Sequence, residues 1–280
     1  MKYLGLVAVW LVLPAFAQQQ DTVHRTFSGA KSIEVDNVNG SIHVTAYGGA
    51  GIEMDARRTI TADDTEREEA AKREVKLDIT QPADEVRVYV DGPFRCHCED
   101  RPSFRSRNNT RDHGRRGYKV TYDFEVRVPS GTALYLATVN QGQIRVEKTA
   151  GDFDIENING GVEMNDVAGS GRVYALNGKV GVTFAKNPER SSYFGSLNGL
   201  VEVWFQPNLS ADVRVKSFNG GIYTDFPVTY LPAVAGTAER KDGKFLYRSN
   251  DFQGIRIGNG GPEFKFENFN GEIRIRNRGK

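Results

Sequence analysis

An Asn-Gly pair recurs along this chain, and each copy sits between segments in which apolar and polar residues alternate. The copies are Asn39, Asn159, Asn177, Asn198, Asn219 and Asn270, each followed by Gly; at Asn140, Gln141 intervenes before Gly142. From Asn159 the steps to Asn177, Asn198 and Asn219 are 18, 21 and 21 residues. A fixed period of about 20 residues marks a repeat architecture, so it constrains the fold before any single strand does.

The flanks of the pair repeat as well. The residue before Asn is always apolar: Val38, Val139, Ile158, Leu176, Leu197, Phe218 and Phe269. Four before it stand Val35, Leu136, Ile155, Val173, Phe194, Val215 and Phe266. Three after the Asn come Ile42, Val162, Val180, Val201, Ile222 and Ile273, and five after it Val44, Met164, Val182, Val203, Thr224 and Ile275. This spacing puts one face of each strand inward. Asn and Gly both tolerate positive φ, so the pair predicts a sharp corner. Two architectures satisfy the pattern. In an antiparallel meander each Asn-Gly closes a hairpin; in a β-solenoid each repeat is one coil and equivalent residues stack about 4.8 Å apart. A meander needs complementary partners across its turns, whereas stacking rewards identity from repeat to repeat, with Asn amides pairing. The identity seen here favours the solenoid, with Asn159, Asn177, Asn198 and Asn219 forming a ladder along one corner.

The remaining segments frame the repeat. The N-terminus, MKYLGLVAVWLVLPAFAQQQ, has one basic residue, an apolar run and Ala15-Phe16-Ala17, which predicts a signal peptide over 1–17 and a single exported domain over 18–280. Without Lys2 the 37 basic residues fall to 36, equal to the 36 acidic ones. Global attraction to nucleic acid or an anionic membrane is therefore not expected, nor is stable membrane insertion after cleavage. TADDTEREEAAKREV, 61–75, reads as one helix, capped by Asp63 or Thr61. A polar loop spans 93–117, and an insertion at 226–262 precedes the last repeat and is expected to protect an end of the stack.

With its signal peptide, the strand motif YDFEVRVPSGTALYLATVNQG and the turn series INGGV, LNGKV, LNGLV, FNGGI and FNGEI, the chain resembles the bacterial putative-adhesin family of exported β-repeat domains. The resemblance covers most of the mature chain. It implies an all-β, β-solenoid or β-helix-like fold of coils of ~18–21 residues on the cell envelope, right-handed as parallel crossovers generally are. It implies no catalytic residues.

No nucleophile elbow, HExxH pair, phosphate loop or dinucleotide fingerprint is present. The loop PFRCHCEDRPSFRSRNNTRDHGRRGY carries Arg95, Arg101, Arg105, Arg107, Arg111, Arg115 and Arg116, a candidate patch for acidic or phosphorylated envelope glycans. A mobile, solvated loop is the competing reading. Cys96-His97-Cys98 is a poor zinc match because paired ligands are usually spaced by two or more residues. No metal and no cofactor are expected. The leading expectation is a non-enzymatic binding or structural module, periplasmic or at the cell surface, acting on an envelope polymer or protein. The alternatives are a carbohydrate-active enzyme using carboxylates on a strand face, and a metal- or redox-responsive sensor built on the Cys-His-Cys loop.

Overall fold

The computed structural model describes residues 19–95, 116–232, 237–241, 244–248 and 252–280. The expected signal peptide lies outside these residues, as do Cys96, His97, Cys98 and Arg101 through Arg115. The described chain is nearly all β. Its N-terminal part forms β1 (Gln19–Phe27), β2 (Ser32–Asp36), β3 (Ile42–Tyr47), β4 (Ile52–Ala62), the helix α1 (Thr65–Glu74), β5 (Lys76–Thr80), β6 (Glu85–Asp91) and β7 (Tyr118–Pro129). The helix begins later than the sequence suggests. Its cap is Asp64, whose carboxylate accepts from the Arg67 amide at 2.7 Å, while Thr61 still belongs to β4.

The repeats then alternate: β8 (Ala133–Asn140), β9 (Ile144–Glu147), β10 (Phe153–Asn159), β11 (Val162–Val167), β12 (Gly171–Asn177), β13 (Val180–Phe184), β14 (Ser192–Asn198), β15 (Val201–Phe205), β16 (Ala211–Asn219) and β17 (Ile222–Thr224). After the insertion strands β18 (Val228–Leu231), β19 (Thr237–Lys241), β20 (Lys244–Arg248) and β21 (Gln253–Ile257) come β22 (Glu263–Asn270) and β23 (Ile273–Asn277). Odd and even repeat strands go to different sheets. A ten-stranded sheet runs β1-β4-β7-β3-β9-β11-β13-β15-β23-β17, and an eleven-stranded one β18-β21-β16-β22-β14-β12-β10-β8-β2-β6-β5. Consecutive repeats pair parallel and in register, Ile155 beside Leu136 and Val173, Val182 beside Met164 and Val203. The strands on either side of each corner lie in different sheets, so the Asn-Gly pairs close no antiparallel hairpins and the meander alternative falls.

The layers do not follow chain order at the C-terminal end. β22 lies between β14 and β16, and β23 between β15 and β17. The last repeat in sequence is thus the penultimate layer. β21 then pairs antiparallel with β16, and β18 antiparallel with β21, so two strands of the 226–262 insertion extend that sheet beyond β16.

The alternating inward residues meet between the two sheets. Val35, Leu136, Ile155, Val173, Phe194 and Phe266 are wholly buried, and Phe205 of one sheet stacks on Phe264 of the other at 5.5 Å and 5°. Phe184 continues that stack on Phe205 at 5.4 Å. Burying each such ring is worth about 1.5–3 kcal/mol.

The corners give the Gly of the Asn-Gly pair two physical reasons, and only one of them is the sign of φ. None of the seven corner Asn has positive φ, and Gly160, Gly178 and Gly199 do not either. Glycine is needed there because the stacked corners touch: a Cβ on Gly160 would collide with the Gly142 carbonyl, one on Gly178 with that of Gly160, and one on Gly199 with that of Gly178. Close backbone approach selects glycine at these three corners, while Gly40, Gly220 and Gly271 have φ of 111°, 154° and 139°, so there positive φ adds to the same steric demand.

Candidate functional site

The sequence-derived candidates separate into three groups. Arg101, Arg105, Arg107, Arg111 and Arg115 lie outside the described residues. Arg95 turns inward, with its side chain only 1% exposed. Its guanidinium holds both carboxylate oxygens of Asp36 at 3.0 and 3.1 Å, donates to the Val90 and Asp36 carbonyls, and sits over the Tyr89 ring. It is a buried structural cation and is not presented to a ligand. Arg116 pairs with Glu74 at 3.1 Å. Burial and that same carboxylate, which accepts from the Tyr118 phenol at 2.5 Å, push Tyr118 up to about 12.

At the corner the exposed Asn amides form one directional chain. Asn159 donates to Asn140, Asn177 to Asn159, Asn198 to Asn177, Asn270 to Asn198 and Asn219 to Asn270, at 2.8–3.2 Å. Asn198 and Asn219 are therefore linked through Asn270. A second column, two residues before the corner Asn, is polar and buried just inside except at Ala175 and the half-buried Ser217. There Thr138 donates to the Gly40 carbonyl, Asn157 to Gly142 and Gly161, Ser196 to Gly178, and Asn268 to Gly199. This inner column adds side-chain donors to the corner carbonyls, two of which have a further donor: Gly161 accepts from the Ile144 amide and Gly40 from the Asn37 side chain.

The outward face of the eleven-stranded sheet carries the richest chemistry. By register, Tyr135, Asp154, Arg172, Tyr193, Lys265 and Arg214 form one row across six adjacent strands. Beside it, Glu156, Tyr174, Gly195, Glu267 and Lys216 form another. Arg172 reaches Glu156 at 3.0 Å and Asp154 at 3.4 Å, and lies over the rings of Tyr174 and Tyr193. Burial works against its charge, but the two carboxylates outweigh that and hold its pKa above the usual value. Lys265 sits 4.2 Å from the Phe252 ring centre. Gly195 lets the Tyr193 ring lie down across the sheet, since a Cβ there would meet the ring at 2.6–2.9 Å. Burial and the neighbouring Glu267 push the Tyr193 phenol well up, so it stays a donor, to Glu267 at 3.2 Å. At one end the surface dips into a cavity of about 450 Å³ bounded by Arg172, Ser192, Tyr193 and Lys265.

Motif reasoning passes over these residues because none belongs to a motif. The signal was in the repeat itself: they stand five and three residues before the corner Asn, a column left unread beside the apolar ones.

No protein-family model matches the chain, and no curated protein sequence matches it. Solved structures do resemble it at low identity. A crystal structure of a putative cell adhesion protein from Clostridium sporogenes ATCC 15579 is 8% identical over 93% of this chain and 100% of its own, with a TM-score of 0.40. A putative adhesin from Bacteroides fragilis NCTC 9343 is 9% identical over 92% and 97%, with a TM-score of 0.35. A putative lipid binding protein from Parabacteroides distasonis ATCC 8503 is 11% identical over 91% and 96%, with a TM-score of 0.32. Among the described residues no helix is long and apolar enough to cross a membrane.

Proposed function

We propose that this protein is an exported, non-enzymatic binding module of the cell envelope, built as a right-handed β-solenoid whose long flat face takes an extended polymer. The in-register parallel pairing in both sheets and the unbroken Asn chain support the solenoid reading. The observation that carries the binding reading is the row from Tyr135 to Arg214, in which rings, cations and carboxylates interleave across adjacent strands. Such a face repeats its donors and stacking surfaces at the strand spacing, about 4.8 Å, and so suits a chain of repeating units. The carboxylates of the face, Asp154, Glu156 and Glu267, are engaged by Arg172 or the Tyr193 phenol, which supports recognition over general acid or base work.

The test is co-sedimentation of the purified protein with bacterial envelope fractions at low and high salt. One variant combines Arg172→Gln, Tyr174→Ser and Lys265→Gln; another changes Arg101, Arg105, Arg107, Arg111 and Arg115 to Ser. The reading expects wild type and the loop variant to pellet and the face variant to stay in solution with an unchanged melting curve. A face variant that pellets like wild type overturns it, and loss confined to the loop variant moves the site to the Arg-rich segment.

A further inference from the structure

The ten-stranded sheet bears a second outward row, His43, Arg145, Glu163, Gly181, Glu202 and Arg274 in register. Gly181 leaves that row without a side chain, and the gap lies in a notch of about 300 Å³ lined by Gln143, Glu163, Asn165, Lys179, Thr183 and Trp204. That volume is at the small end of ligand pockets. Trp204 is half-buried. On its β23 side the Arg276 guanidinium lies 5.3 Å from the ring centre; the notch opens on its β13 side, where Thr183 is the register neighbour.

The charges around the notch are matched inside the protein. Glu202, whose side chain is 14% exposed, is surrounded by Lys179 at 3.2 Å, Arg274 at 3.7 Å and Arg276 at 3.8 Å. Glu163 faces Arg145 at 3.5 Å. A cation would have to displace these partners from Glu202, an anion would approach Glu163, and an apolar ligand would strand the amides and hydroxyl of Gln143, Asn165 and Thr183. What remains is an indole face beside neutral donors and acceptors. We infer that the notch binds neutral sugar, one ring stacking its apolar side on Trp204 while its hydroxyls pair with Gln143, Asn165 and Thr183. The notch lies on the other sheet from the surface proposed above, so either site can fail without the other.

The chain contains two tryptophans, Trp10 and Trp204, so the full chain with Trp10→Phe reports on the notch through a single indole. It is titrated with cellotriose, maltotriose and chitotriose, and with trigalacturonic acid as an acidic counterpart. The expected result is a saturable emission change with at least one neutral trisaccharide, weakened tenfold or more by Gly181→Val. That substitution fills the gap at small cost to the fold, because a Cβ at Gly181 meets only the flexible Lys179 side chain at 3.3 Å and backbone at 4.0 Å. Trp204→Ala, followed by calorimetry, is expected to give the same loss and guards against misfolding of the valine variant. No saturable change with any neutral probe, an affinity indifferent to both substitutions, or preference for the acidic trisaccharide would overturn the inference.

Discussion

Asn270 donates its side-chain amide to Asn198 at 2.8 Å across 72 residues of sequence. That bond marks the place where the strands of the last repeat lie between those of two earlier repeats in both sheets. β22 and β23 supply the wholly buried Phe264, Phe266, Ile273 and Ile275, and each strand pairs on both sides. Four such side chains at about 1.5–3 kcal/mol each rival the whole stability of a typical domain, about 5–15 kcal/mol. Removing residues 262–280 is therefore expected to abolish the cooperative melt seen by circular dichroism, and Phe266→Ala to cost about 3–5 kcal/mol. A truncated chain melting at the wild-type temperature would show that the inserted layer is dispensable.

The two polar columns at the corner should differ sharply in weight. Asn177 is exposed and bonds only its ladder neighbours in the described contacts, so Asn177→Ala is expected to cost about 0.5–1 kcal/mol. Asn157 is buried and caps two carbonyls, Gly142 and Gly161. Its own Oδ1 has no hydrogen-bond partner, which trims its net worth, and the Gly161 carbonyl keeps the Ile144 amide, yet Asn157→Ala takes the side-chain donor from the Gly142 carbonyl and should cost about 1–3 kcal/mol. Urea denaturation of the two variants decides it; equal losses would mean that the inner column caps nothing of consequence.

The Asp36–Arg95 pair makes a pH prediction. Burial raises the Asp36 carboxyl above its ordinary 3.8 and outweighs the opposing charge and hydrogen bonds of Arg95. A carboxyl raised in the folded state binds protons there before the unfolded chain does. Its contribution to stability therefore falls as pH rises from 3.8 to the folded value, and is level beyond. Arg95→Met removes the opposing cation and widens that window upward. At about pH 7 the variant is expected to lose about 3–5 kcal/mol, and to recover part of this near about pH 5 as Asp36 takes up its proton. A loss that is the same at both pH values would disprove the mechanism.

Which parts of this molecule were readable in advance follows from what a repeat encodes. Alternation assigned the inward residues Val35, Leu136, Ile155 and Phe194 to one face because burial on one side of a strand leaves a period of two. The layer order was not encoded in the same way. Where every repeat offers Asn, Gly and a branched or aromatic residue at the same position, any two can stack, and nothing local says that Asn270 precedes Asn219 in the pile. The apolar residue before each Asn was also ambiguous: Val38 is buried while Phe218 is 68% exposed and stacks on Phe269 at 4.6 Å. Arg95 looked like one of seven similar arginines, since only the fold brings Asp36 to it across 59 residues.

The inner column also contains a gap that can be filled. Asn157, Ser196 and Asn268 each donate to the corner Gly carbonyl of the neighbouring repeat, Gly142, Gly178 and Gly199. Ala175 holds the equivalent position between Asn157 and Ser196, in register with both, and has nothing to donate to Gly160. It is wholly buried, and serine adds a single oxygen to its outline. Ala175→Ser is therefore expected to place a hydroxyl on the Gly160 carbonyl and to stabilise the fold by about 1 kcal/mol, read as a higher urea midpoint with an unchanged slope. If the carbonyl is out of reach, the hydroxyl is buried without a partner and the midpoint falls instead. The sign of that one shift tests whether the corners are built by carbonyl capping or by the amide ladder on the outside.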